Sequence, residues 1–432
     1  MSASWFAHRQ GHSATFDLFV RKLPEQRNFL IACGLDQALH FLETFRFSGA
    51  AIDALRGLKL FDAGFLEWLG RMRFTGEVWA VPEGEAVFGA EPLLRVTAPL
   101  PEAQLVESFL LNAITFQTMI ATKAARLAIA CGGRRGFVDF SLRRDHGPTA
   151  ALLGARAAWV GGAAATSNVL AAMRYGIPPS GTMAHSYVMG FDEEADAFRQ
   201  FARAFRDRAV FLIDTWDTIE GARKSVQVAR ELKAEGIDVS GVRIDSGELA
   251  ADARAVRRMF DEAGLANIQI VLSGDLDEHA IAKMVRDDVP ADWFGVGTQL
   301  GTSADAPALG GVYKLAEEDG TPRMKLSRDK VTLPGRKQVF RFDDWSRDVI
   351  GLHDERIDGA RPLLRCVMRD GRRVPGAESA WSLADARARC ARTLKDLPEG
   401  LKALDRKVDY PVELSERLKR ELEEVKARLH RG

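Results

Sequence analysis

Three apolar runs, each leading to an aspartate and spaced about 30 residues apart, constrain this chain most, because that interval fits one strand, one helix and two short loops. Ala209–Ile213 ends at Asp214, Gly241–Ile244 ends at Asp245, and Ile268–Leu272 leads through Ser273 and Gly274 to Asp275. Gly136–Val138 runs into Asp139, and Trp293–Phe294 runs into Gly295, Val296, Gly297 and Thr298. Units of this kind build a parallel sheet, and in parallel α/β barrels the reactive groups stand at the C-terminal ends of the strands. Several strands ending in acids therefore predict one shared, cation-binding mouth, and so an enzyme.

A chain of 432 residues, 46% hydrophobic, can bury a large core and has room for two domains or one barrel with additions. Its 60 basic and 60 acidic side chains leave no net charge to draw it to nucleic acid or anionic lipid. Cys33, Cys131, Cys366 and Cys390 are widely spaced and form no CxxC pair, which argues against a zinc site or a disulfide framework and suits a reducing cytoplasm. The most apolar stretch, Phe109 to Ala130, is broken by Asn112, Gln117, Lys123 and Arg126, and the N-terminus has no basic-then-apolar signal pattern. A cytoplasmic protein without a membrane partner is expected.

The expected fold class is α/β, in three regions. Residues 1–105 mix β-like segments such as Thr15–Arg21 and Glu77–Val81 with helices, as an α+β sandwich domain does. Residues 106–340 alternate strand and helix signals, with amphipathic helices expected at Gly221–Gly236, Gly247–Gly264 and Leu276–Asp288. This is the catalytic barrel candidate. Residues 341–432 are more charged and end in an expected helix from Val412 to Leu429, read as a solvated outer face from its dense i, i+4 charge pairs.

The strand ends must carry the chemistry. Asp214–Thr218 and Arg243–Gly247 each combine carboxylates with hydroxyls, hard ligands that suit Mg²⁺ or a ribose diol, and an arginine suits phosphate. Aspartates at strand ends also cap the following helix, so each alone says little. The turn Gly295–Thr302 can offer backbone N–H groups to an anion or serve as a tight structural turn; its third glycine is one position late for a dinucleotide fingerprint. His185 lies in the small-residue segment Ser180–Ser186, readable as a short barrel strand with the histidine at its mouth, and no neighbouring ligand supports a metal site. A nucleophilic or acid/base role is the natural functional option.

Several strings together carry a resemblance: Phe16–Arg21, Asp139–Arg144, Thr166–Asn168, Gly181–Ser186, Arg243–Gly247, Gly295–Thr298, Tyr313–Leu315 and Pro334–Val339. Over nearly its whole length the chain resembles the nicotinate phosphoribosyltransferases, ATP-coupled enzymes of NAD salvage. The resemblance implies an irregular parallel α/β barrel of fewer than eight full units, with a sandwich domain built from both ends of the chain. It also implies a homodimer whose active sites lie at the subunit interface. The implied reaction joins nicotinate to phosphoribosyl pyrophosphate, giving nicotinate mononucleotide and pyrophosphate, with ATP hydrolysed through phosphorylation of the histidine matching His185.

In that frame His185, Asp214, Arg243 and Asp245 are the catalytic candidates, with Asp214 and Asp245 for Mg²⁺ or ribose hydroxyls and Arg243 for phosphate. Phe140, Leu142 and Arg143 would frame nicotinate, and Gly297 with Thr298 would cradle the 5′-phosphate. Ser167, Thr182, Ser186, Asp275 and Gly295 complete the substrate-binding set. The alternatives are a nicotinamide phosphoribosyltransferase and a non-catalytic dimer of the same fold. Ser167 favours nicotinate, since the amide-using relatives resemble one another in having an aspartate there, which would repel a carboxylate. Ser141 stands where the resembled family usually has glycine. Family members also usually carry, just ahead of the stretch matching Met1–Phe6, a tyrosine that stacks on the pyridine ring of the partner's site, so a start upstream of Met1 is expected.

Overall fold

The computed structural model describes residues 1–133, 135–327 and 331–430. The chain divides into two compact units: Met1–Thr122 with Ala308–Gly432, and Lys123–Pro307.

The second unit is built on six parallel strands. Their spatial order is Ala165–Thr166, Gly136–Asp139, Trp293–Val296, Gln269–Leu272, Gly241–Ile244, Val210–Leu212. The strands are short and apolar because helices connect them, and Phe137, Phe211, Val242, Ile270 and Phe294 are fully buried. The expected helices form with slightly shifted ends: Thr218–Ala234, Leu249–Glu262 and Glu278–Arg286. Gly236 and Gly264 follow the first two with φ of +70° and +74°, the left-handed exit that glycine allows. Asp217 and Asp277 cap two of these helices, accepting from the amides of Glu220 and Ala280. Helix capping thus falls to other acids, and Asp214 and Asp245 are left to face the mouth.

A buried ion cluster within this unit holds the last part of the helix Glu107–Ala130, from Lys123 onward. Lys123 and Arg126 both bind Glu278, the latter at 2.8 Å, and Lys123 reaches Asp305 at 2.8 Å.

The first unit holds a seven-stranded sheet in which Ser13–Val20 pairs antiparallel with Gly311–Glu318 on one side and with the central strand Pro92–Pro99 on the other. A four-stranded sheet contains Lys337–Phe342, Asp348–Leu352, Ala360–Pro362 and Val412–Leu414. Leu18, Val20, Leu94, Val96, Val339, Ile350 and Val367 belong to one apolar core.

Three expectations need correction. The boundaries at 105 and 340 move to Thr122 and Ala308, because Gly311–Glu318 finds its partner in Ser13–Val20 at the other end of the chain. Ser180–Ser186 is no strand: the pairing with Thr166 is a single parallel bridge at Pro179 that ends where the Ser180 amide donates to the Thr166 carbonyl at 2.9 Å, and His185 opens the one-turn helix His185–Val188. The final helix is Glu416–His430, capped by Ser415; Val412–Leu414 before it pairs with Asp348–Leu352. That helix buries Leu418 and Val425, so it is amphipathic rather than solvated all round.

Candidate active site

Arg243, the third residue of Gly241–Ile244, organises the mouth. Its Nε donates to Ser273 Oγ at 2.7 Å, Nη1 to Thr182 Oγ1 at 3.0 Å and Nη2 to Asp245 Oδ1 at 2.5 Å. These engage three of the five guanidinium N–H donors and leave the others for an anion. The guanidinium also lies over the Phe140 ring, 5.3 Å from its centroid. Gly295 lies against the Cδ2–Cε2 side of that ring, where a Cβ would come within 2.6 Å of both ring carbons. Glycine is required there by the aromatic ring, in the middle of the strand Trp293–Val296.

The carboxylates differ in their surroundings. Asp245 accepts from Ser273 and Arg243; burial alone would raise its carboxyl, but Arg243, Ser273 and His185 outweigh that and hold it below the usual range. Asp214 Oδ2 accepts from the Asp245 amide at 3.0 Å and from Ser246 Oγ at 2.6 Å. Its Oδ1 is buried with no hydrogen-bond partner. An orphaned carboxylate oxygen beside a second ionised carboxylate fits Mg²⁺, which keeps most of its waters and takes only one or two protein ligands. It equally fits a ribose hydroxyl. Among the described residues no group of three or more metal-binding side chains gathers anywhere, so any such ion would depend on substrate oxygens.

His185 Nδ1 lies 3.2 Å from Thr215 Oγ1, and Nε2 lies 3.8 Å from Asp245 Oδ2. The side chain remains 40% exposed, so a ring nitrogen is open to a phosphoryl donor.

Ser167 is half-buried beside this group, its amide donating to the Asp139 carbonyl at 2.8 Å. Asp139 itself is fully buried; its carboxylate accepts from the Ser141 amide and from Thr166 Oγ1, and burial pushes its pKa up against those bonds. A cavity of about 670 Å³ opens here, with Phe140, Ser167 and Thr182 at one end and Val210, Gln269 and Trp293 among its other walls.

His185, Thr182, Phe140, Arg243, Asp245, Asp214 and Gly295 thus form one contiguous cluster, with Ser167 at the cavity. Leu142, Arg143 and Asp275 are exposed on surrounding turns and Ser186 is exposed on the one-turn helix His185–Val188, and Asp275 has a φ of +47°. Gly297 and Thr298 lie where the chain leaves Val296 and enters the short helix Thr298–Gly301. Sequence reasoning did not single out Thr215, Ser246 or Ser273 as site residues. All three are hydroxyls within the strand-end strings, and that recurrence was the available signal. Asp139 was read as a strand end without a role.

Fold and mouth together define an α/β enzyme that works at the C-terminal edge of a parallel sheet. Three family models match the chain: the nicotinate phosphoribosyltransferase N-terminal domain over residues 1–115, the nicotinate phosphoribosyltransferase family over 136–327, and the nicotinate phosphoribosyltransferase C-terminal domain over 359–422. The chain is 45% identical over 426 residues to nicotinate phosphoribosyltransferase pncB2 of Mycobacterium tuberculosis, covering 98% of this chain and 91% of that one. It is 41% identical over 362 residues to nicotinate phosphoribosyltransferase of Bacillus subtilis, covering 81% and 73%. The crystal structure of human nicotinic acid phosphoribosyltransferase superposes with a TM-score of 0.88 at 29% identity, covering 98% of both chains. The chain belongs to the nicotinate phosphoribosyltransferase family.

Proposed function

We propose that this chain joins nicotinate to phosphoribosyl pyrophosphate, releasing pyrophosphate and forming nicotinate mononucleotide for NAD biosynthesis, with ATP hydrolysis coupled through a phosphohistidine. The observation that carries the reading is the Arg243 hub, which links the aromatic platform of Phe140 to Asp245 and through it to His185.

In this reaction the bond from the anomeric carbon to pyrophosphate breaks as the pyridine nitrogen attacks. Positive charge develops on the sugar and negative charge on the leaving group, so the site needs placement and cations. Phe140 offers a face for the pyridine ring, held by Arg243 above and by the absence of a side chain at Gly295. The free N–H groups of Arg243 would bind phosphate oxygens. Asp214 and Asp245 would hold ribose hydroxyls or a Mg²⁺ ion, which when bound neutralises charge on the pyrophosphate. The amides at the start of Thr298–Gly301 have no partner within their helix and would face the 5′-phosphate. Leu142, Arg143 and Asp275 on the surrounding turns and Ser186 on the helix His185–Val188, all exposed, would complete the contacts once substrates are bound.

For the ATP step, an unprotonated ring nitrogen of His185 attacks the γ-phosphorus, the P–O bond to ADP breaks and a P–N bond forms. Water later cleaves that bond and releases phosphate. The Thr215 hydroxyl beside Nδ1 and the Asp245 carboxylate 3.8 Å from Nε2 orient the ring. The phosphoryl group adds charge beside the pyrophosphate site, which couples ATP use to substrate and product affinity.

Ser167, neutral and half-buried, supports nicotinate over nicotinamide. The six-stranded sheet, with Ala165–Thr166 and Val210–Leu212 at its edges, supports an incomplete barrel, and the seven-stranded and the mixed four-stranded sheets of the other unit support a sandwich domain. A homodimer with interfacial active sites follows from the family resemblance. Four widely spaced cysteines with no CxxC pair fit the cytoplasm, and among the described residues no helix is long and apolar enough to cross a membrane.

The deciding experiment measures pyrophosphate and nucleotide release with nicotinate or nicotinamide, each with and without ATP. Nicotinate-dependent release stimulated by ATP is expected; release with nicotinamide alone, or with neither base, would overturn the proposal.

A further inference from the structure

Asp145 is a carboxylate that the proposed reaction leaves unused, yet it stands between the two turns assigned to the anionic ends of the substrates. The turn from Ser141 to Asp145 closes on itself, with the Arg144 and Asp145 amides donating to the Ser141 carbonyl at 2.6 and 3.2 Å. Asp145 Oδ2 lies 3.1 Å from Ser141 Oγ. Its Oδ1 is buried without a hydrogen-bond partner. That oxygen lies so close to Gly301 that a Cβ built there would come within 1.9 Å of it. Gly301 ends the helix Thr298–Gly301. One carboxyl group therefore spans from the turn carrying Leu142 and Arg143 to the turn that starts at Gly297 and Thr298.

Few charges act on it. Asp139 faces it from the strand end and His146 from the next position, while Arg143 and Arg144 are exposed on the same turn. The helix Thr298–Gly301 brings no charged side chain, and Pro148–Val160, packed against that helix, brings only the buried Arg156. Burial first and Asp139 second push the Asp145 carboxyl up to about 6, against the opposing pull of Ser141 and His146.

We propose that Asp145 is a positioning residue for the phosphoribosyl transfer: it ties the base-binding turn to the phosphate-binding turn, and its ionisation sets the affinity for both anionic substrate groups. The proposal rests on the reaction inferred above. A neutral carboxyl fills the space beside Gly301 at no electrostatic cost. An ionised one places negative charge between two sites that must receive a carboxylate and a phosphate, and repels both.

The test is steady-state kinetics of the full chain from about pH 5 to about pH 8, a range that brackets the titration of a carboxyl raised in this way. In the parent protein the KM values for nicotinate and phosphoribosyl pyrophosphate should rise together with pH, more steeply than substrate ionisation alone gives. Asp145→Asn, which keeps the shape without the charge, should remove that excess rise. Asp145→Ala should raise both KM values at every pH while kcat changes little, because both turns lose their shared support. Ser141→Ala removes a bond that favours the ionised form and should move the rise to higher pH. Superimposable profiles for the parent and Asp145→Asn, or an Asp145→Ala effect on one substrate only, would overturn the proposal while leaving the reaction standing. Failure of the parent protein to turn over nicotinate removes the reaction and the proposal with it.

Discussion

His185 Nε2 lies 3.8 Å from Asp245 Oδ2, and Asp245 is bound on its other oxygen by Arg243. The histidine therefore reports, through one carboxylate, to the cation assigned to the phosphates. Phosphorylation of His185 would replace a partner of Asp245 with a competing anion, and the Asp245–Arg243 pair would have to respond.

This linkage predicts that incubation with γ-labelled ATP gives an acid-labile, base-stable label, since phosphoramidates hydrolyse in acid. His185→Ala should abolish both the label and ATP stimulation while keeping the melting temperature near that of the parent. A label that survives the substitution would refute the assignment.

Gly295→Ala should weaken nicotinate binding through packing alone. Its Cβ would come within 2.6 Å of the Phe140 ring and 3.1 Å of the Ser273 Cβ, so the ring must shift from its place against Arg243. Overpacking of this sort costs about 1–3 kcal/mol. Both a lower denaturation midpoint and a raised KM for nicotinate are expected. An unchanged KM would mean that the base does not use this face of the site.

Ser167→Asp should discriminate between bases. A second carboxylate beside a half-buried site opposes nicotinate, and a tenfold rise in KM corresponds to about 1.4 kcal/mol. Nicotinamide use should fall less or improve. Equal effects on the two bases would show that Ser167 does not face the ring substituent.

Lys123→Met tests the cluster that holds the last part of the helix Glu107–Ala130. Glu278 is fully buried, and removing one partner of a buried ion pair costs about 3–5 kcal/mol, because the remaining charge is left undercompensated. Burial would raise the Glu278 carboxyl, yet Lys123 and Arg126 bring it below its ordinary value. The stability it contributes is therefore present above the unfolded value of about 4.3 and is lost as pH falls through the lower folded value. Urea unfolding at neutral pH should show the loss in Lys123→Met, with the gap to the parent narrowing in acid. A variant as stable as the parent at neutral pH would contradict this account.

The periodic part of the molecule was legible in the sequence because it is local. Apolar runs followed by amphipathic segments specify Gly241–Ile244, Gln269–Leu272 and their helices through side-chain period alone, and a strand that ends in Asp214 or Asp245 places that acid at the mouth wherever the sheet closes. Tertiary structure decided what the period does not encode. The strand Gly311–Glu318 reads as part of the barrel until Ser13–Val20, from the other end of the chain, supplies its partner. His185 looks like a strand residue until the pairing with Thr166 stops at Pro179 and the one-turn helix His185–Val188 sets its ring beside Thr215 and Asp245. Gly295 reads as the start of a substrate-binding turn until the Phe140 ring packs on it within the strand Trp293–Val296, and Asp145 is one more acid on a turn until Gly301 lies against its oxygen. Each of these depends on distances between residues remote in the chain, which packing sets and local propensity does not.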